Sequence, residues 1–194
     1  MQFTDQINDY IDGLKAALDR LNRDEISQLA GLLLDAYEKN ANIFICGNGG
    51  SASTASHFAC DINKGACYGL DKRFKVMPLT DNAATIMAYS NDVHYDEIFV
   101  EQLKNFIQKD DIVIGISGSG NSRNVLKAIE YANEKGNITC GITGYDGGKL
   151  KEVAKYSVNA NRNDMQISED IHMILTHLMM RITRKALMGG EEHC

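Results

Sequence analysis

The chain has 194 residues, 44% hydrophobic and 24% charged, enough for one soluble α/β domain with a substantial core. Its 26 acidic against 20 basic residues give a net charge of −6, which excludes an overall basic footprint for nucleic acid; Arg181, Arg184 and Lys185 read as a solvated helix face. No uncharged apolar run approaches the ~18 residues needed to cross a bilayer, and the start, Met1-Gln2-Phe3-Thr4-Asp5, lacks a basic segment followed by an apolar one, so a cytoplasmic protein without a membrane partner is expected.

In chain order, residues 3–20 carry Phe3, Ile7, Tyr10, Ile11, Leu14, Ala17 and Leu18 at helical spacing. A second helix is expected over 24–39, with Ile26, Leu29, Leu32, Leu33 and Tyr37 on one face and Asn22 or Asp24 as cap. The apolar stripes of this pair (residues 1–40) need a partner, either the rest of the domain or a second subunit. From residue 41 the period changes. Strands are expected at 43–46, 75–79, 112–116, 138–143 and 156–158, and helices at 51–62, 82–89, 96–107, 122–133 and 166–188. Apolar strands alternating with helices predict a doubly wound, mostly parallel five-stranded sheet, flavodoxin-like, in a single domain over 1–194. Of the five cysteines (46, 60, 67, 140 and 194), Cys46 and Cys140 fall inside strands as small hydrophobes; the odd count and absent CxxC spacing fit reduced thiols.

Two glycine-serine loops, Gly47-Asn48-Gly49-Gly50-Ser51 and Ser117-Gly118-Ser119-Gly120-Asn121-Ser122, each join a strand to a helix. Such a turn aims free backbone N–H groups and the positive end of a helix dipole at one point, a seat for phosphate. Two seats in one domain point to a sugar phosphate. Hydroxyls of Ser51, Ser117, Ser119 and Ser122 and the backbone at Gly49, Gly50 and Gly118 would hold it, with Asn48 and Asn121 shaping the loops or touching sugar hydroxyls. Gly47-x-Gly49-x-x-Ala52 matches a dinucleotide fingerprint formally, but the expected ribose-binding acid is poorly placed. The P-loop pattern fails because no lysine follows the glycines. His57 and Asp61, four apart on a predicted helix, share a face and can reach one point.

These two loops, with His57-Phe58-Ala59 after the first and Ser122-Arg123-Asn124-Val125 ending the second, resemble the SIS (sugar isomerase) domain. Within it the chain is most similar to the phosphoheptose isomerases, which convert sedoheptulose 7-phosphate to a mannoheptose 7-phosphate. The likeness extends to the leading helices, Asn91-Asp92 and the closing Ile171-His172-x4-His177 segment. It implies a homotetramer with active sites between subunits. It also implies a zinc site of His57, Asp61, Glu169 and His177, with Asp61 as base and His177 as acid; Glu169 would also contact substrate, Asp92 and Asp164 are weaker candidates for binding sugar hydroxyls, and Gln166 is weaker still. The family has Glu where this chain has Asp61 and Gln where it has Glu169. Other SIS relatives, of the DnaA initiator-associating type or sugar-phosphate sensors, only bind; the resemblance implies that they lack the metal and acid–base group.

One constraint follows from helix geometry. Glu169 and His177 are eight residues apart, ~12 Å along a regular helix, so they are expected to serve different copies of the site. His172 lies ~140° around that helix from His177 and is expected to face elsewhere.

Overall fold

The computed structural model describes residues 2–189; Cys194 lies outside the described residues. Two helices, α1 (Thr4–Asp19) and α2 (Arg23–Lys39), precede a regular alternation. This runs β1 (Asn42–Gly47), α3 (Gly50–Cys60), β2 (Lys75–Pro78), α4 (Ala83–Asp92), α5 (Val100–Phe106), β3 (Ile112–Ser117), α6 (Arg123–Glu134), β4 (Ile138–Thr143), α7 (Gly148–Val153), β5 (Tyr156–Asn159) and α8 (Met165–Met188). The five strands form one sheet in the order β2-β1-β3-β4-β5, and all four pairings are parallel. This is the expected doubly wound sheet.

Strand alternation divides the core between two faces. Ile43 and Ile45 of β1 point into a cluster with Leu29, Leu33, Phe58, Ile62, Ile171 and Leu175, beneath α2, α3 and α8. Phe44 and Cys46 point the other way, to Phe99, Leu103, Val113, Val125, Ile129 and Leu150, beneath α5, α6 and α7. Each fully buried side chain of this size contributes about 1.5–3 kcal/mol. Gly115 in β3 permits the close seating of α6, since a Cβ there would lie 2.7 Å from Val125 Cγ1.

The two leading helices meet different fates. Asn22 caps α2, accepting from the N–H of Asp24 and Glu25, and the Ile26, Leu29, Leu33 and Tyr37 face is buried in the domain. Phe3, just before α1, and Ile7, Tyr10 and Ile11 in its first half are exposed, and only Ala17 of this helix is buried. A second exposed apolar strip runs from α4, a helix with no buried residue, into the segment after it, with Met87 on the helix and Val93 and Tyr95 beyond it.

Three elements depart from expectation. Residues 96–107 form a 3-10 turn, Tyr95–Glu97, and then α5, with Ile98 and Phe99 buried between the two. The short α7 follows glycines at positive φ and carries too few apolar residues to show a period. Beyond α3 the chain continues as a π-helical turn, Asp61–Ala66. Cys46, Cys60, Cys67 and Cys140 are free thiols, and no helix among the described residues is long and apolar enough to cross a membrane.

Candidate active site

The site lies at the carboxyl ends of β1 and β3. The chain leaves β1 toward β2 on one side and returns to β3 on the other, so the crevice between these strands is the switch point where such sheets bind ligands. Helices α3 and α8 run side by side in the same direction beneath it. Glu169 lies against Gly50 at the start of α3, His177 meets His57 near its end, and Met180 covers Gly65 in the π-helical turn.

His57, Asp61 and His177 converge. The two Nε2 atoms are 3.1 Å apart, and Asp61 Oδ2 is 3.4 Å from the first and 3.9 Å from the second. The imidazoles are exposed, but Asp61 Oδ2 is buried and has no hydrogen-bond partner. A buried carboxylate oxygen is seldom left unpaired. Two imidazoles and a carboxylate are ordinary ligands of zinc, and a tetrahedron with bonds of about 2.0–2.1 Å has edges of about 3.3 Å. The three atoms therefore fit a divalent cation, and the orphaned oxygen is the observation that favours one. The wider π-helical turn begins at Asp61, a local geometry common at functional positions.

Glu169 does not join this group within one chain. Its carboxylate packs on Gly50, where a Cβ would come within 2.6 Å of Oε2 and 2.7 Å of Oε1. The physical reason is the helical rise that separates it from His177. The first loop thus holds one of the chain's own carboxylates at the start of α3.

The second loop is built differently. Ser117 and Ser122 hydroxyls pair at 3.1 Å, and Ser122 makes no side-chain cap to α6. Ser119 Oγ accepts from the Asn121 N–H. Asn121 donates to Ser119 O and accepts from the Lys149 N–H, which makes it a loop brace. The backbone of Gly118 and Gly120 is tied to Gly144 and Leu150. An open cavity of about 630 Å³ adjoins this loop, lined by Ser119, Asn121, Tyr145, Asp146, Asn161, Asn163 and Met165.

Asn48, expected to shape its loop or to touch sugar hydroxyls, is engaged with protein. Its amide exchanges two hydrogen bonds with Asn124, and its Oδ1 also accepts from the Tyr95 hydroxyl. Asp92 ends α4 on the surface, paired with Asn91, apart from the histidine group. Asp164 caps α8, accepting from the Ile167 N–H. Gln166 is exposed. His172 is buried, facing away from His177 as expected, and desolvation lowers its pKa from the ordinary value. Asn124 and Tyr95 were not foreseen as site residues. The signal for Asn124 was its place in the first turn of a predicted helix, inside the motif that carries the family resemblance; Tyr95 offered none.

Residues 3–144 match the SIS domain family. A phosphoheptose isomerase of Helicobacter pylori strain P12 is 36% identical over 169 residues, covering 87% of this chain and 86% of that protein. The chain belongs to the phosphoheptose isomerase family of SIS domains. The structure of the phosphoheptose isomerase from Neisseria gonorrhoeae superposes with a TM-score of 0.83 at 28% identity, covering 93% of this chain and 95% of that one. The Francisella tularensis phosphoheptose isomerase gives 0.85 at 26% identity, covering 95% and 100%.

Proposed function

We propose that this chain is a phosphoheptose isomerase that interconverts sedoheptulose 7-phosphate and D-glycero-D-manno-heptose 7-phosphate. The observation that carries the reading is the convergence of Asp61, His57 and His177 beside two glycine-serine loops, in a chain this similar to named isomerases. The ketose-to-aldose direction removes a proton from C1, forms an enediolate, protonates C2 and returns the C1 hydroxyl as a carbonyl. Asp61 is the base, since a carboxylate with one oxygen turned to the histidines keeps another for the C1 proton. His177 is the acid, as an imidazole donates readily near neutral pH. The hydroxyls of Ser117, Ser119 and Ser122 and the first turn of α6 anchor the phosphate, because Glu169 at the start of α3 disfavours a dianion there. His57, Asp61 and His177 would hold a zinc ion or another divalent cation, which supplies Lewis-acid stabilisation of the substrate oxygens.

The same reading makes the protein a cytoplasmic homotetramer. The exposed strips on α1 and around α4 are the surfaces assembly would cover. Assembly would also bring Glu169 and Asp92 of one copy toward the site of another.

The test is incubation with sedoheptulose 7-phosphate in deuterated water, with and without chelator. Deuterium should enter the sugar with intact protein and not with Asp61→Asn. No exchange with any of several ketose phosphates would instead mark a binding protein.

A further inference from the structure

The bridge between the two loops has a geometry that assigns its atoms. The Val125 N–H donates to Asn124 Oδ1 at 2.9 Å, and a backbone N–H can only donate, so the orientation of the Asn124 amide is fixed. Asn124 Oδ1 then accepts from Asn48 Nδ2 at 2.8 Å, and Asn124 Nδ2 donates to Asn48 Oδ1 at 2.9 Å. Tyr95 Oη adds a second donor to Asn48 Oδ1, also at 2.9 Å. Asn124 is buried at the start of α6, where an apolar side chain would fill the space without the cost of desolvating an amide. The bonds cross the crevice between β1 and β3. One end holds the loop that leads into α3, with His57 and Asp61; the other holds the hydroxyl-lined loop.

We propose that the Asn48–Asn124 amide pair, clamped by Tyr95, sets the span between the phosphate anchor and the proton-transfer group, with Asn124 the positioning residue. The proposal rests on the isomerase reading for its catalytic consequence. A sugar phosphate held at one end must present C1 and C2 to Asp61 and His177 at the other, and an error near 1 Å can cost about a hundredfold in rate.

The test separates placement from binding and from folding. Asn124→Ala should lower kcat by about ten- to a hundredfold while the inhibition constant of inorganic phosphate stays within about twofold, because the anchor is intact. Asn48→Ala should do the same, and the double variant should be no worse than either single one. Asn124→Asp supplies a readout that a merely structural role would not move. Its ionised carboxylate turns an oxygen toward Asn48 Oδ1, whereas its protonated form restores a donor. Its activity relative to wild type should therefore recover as the pH falls from 8 to 5.5. The ionisable groups facing the pair, Tyr95, His94, Asp96 and Glu97 with their partners Arg123 and Lys127, are common to both proteins and cancel in the ratio.

A phosphate inhibition constant that rises in step with the loss of turnover would overturn the proposal, as would additive single variants or a flat pH ratio. If wild type fails to isomerise the sugar, the functional reading falls. The bridge itself is still read from slow hydrogen exchange at the Asn48 side-chain amide, lost in Asn124→Ala; fast exchange in wild type would overturn it.

Discussion

The loop at residues 47–51 and the loop at residues 117–122 occupy neighbouring strand ends and share a composition of glycine, serine and asparagine. They differ in what faces the helix that follows. Glu169 lies over Gly50, so the first turn of α3 already has an anion beside it. The first turn of α6 is bordered by the paired hydroxyls of Ser117 and Ser122 and by Ser119. In the proposed reading the same backbone device serves two ends: one loop launches the helix that bears His57 and leads into Asp61, and the other holds the ligand's anion. A glycine-serine turn states that an anion can be held, and the rest of the fold decides whose anion it is.

The sharpest test of the first end is Asp61→Asn. General base catalysis contributes about 10²–10⁴-fold, and kcat is expected to fall within that range, read from isomerisation of sedoheptulose 7-phosphate with phosphate inhibition unchanged. An Asp61→Asn protein that keeps more than a tenth of its activity would remove the division of labour between the loops. Metal content by elemental analysis should fall with it, and in His57→Ala.

Serine substitutions test the second end. Ser119→Ala and Ser122→Ala should each raise the KM for the sugar phosphate and the inhibition constant of inorganic phosphate about tenfold, the equivalent of one hydrogen bond to a charged group. Ser51→Ala, in the turn that the Glu169 carboxylate covers, should change both by less than about threefold. Equal effects at Ser51 and Ser119 would show that both loops grip phosphate.

Much of this arrangement could be read in advance, for identifiable reasons. The five strands and the placing of both loops at their carboxyl ends follow from apolar runs that end in small residues, a pattern local to each segment. His57 and Asp61 were legible as a pair because they are four apart on one helix, and His177 because its motif resembles the family's. The position of Glu169 was half legible: helical rise ruled out its sharing an ion with His177 in one chain, but only the parallel packing of α3 and α8 puts it on Gly50. That Asn48 would shape its loop or touch the sugar was legible, but the residue it pairs with was not. Its partner lies 76 residues away across the sheet, and no local pattern announces a contact between two strand ends.

A smaller effect is expected from Glu169→Gln. Removing a negative charge from the start of α3 should lower stability by about 0.3–1 kcal/mol, read from denaturant unfolding in low salt and diminished in high salt. The loss of charge should also bring the effects of Ser51→Ala and Ser119→Ala on phosphate inhibition closer together, which makes the two loops more alike. Unchanged stability would mean that the carboxylate packs on Gly50 without an electrostatic role.

The second loop also rests on something the first lacks, the end of β4, to which it is tied by the Gly144 N–H donating to Gly118 O at 2.8 Å. His172 packs beneath that end, buried, with desolvation lowering its pKa and a weaker opposing contribution from the Thr143 backbone. In the folded protein it therefore stays neutral to a lower pH than the ordinary value of about 6.5, which it regains on unfolding. Between those two values the unfolded chain binds the extra proton, so stability falls as the pH drops below about 6.5 and levels off only beneath the folded pKa. The slope due to this one group is at most about 1.4 kcal/mol per pH unit. Urea unfolding of wild type and His172→Leu between pH 7.5 and 5 should show a shallower decline in the variant, with exposed His57, His94 and His177 common to both. At pH 7.5 the two should isomerise alike. Parallel declines would clear His172 as the acid-sensitive support, and an equal loss of activity at pH 7.5 would show that its packing, not its charge, holds the second loop in place.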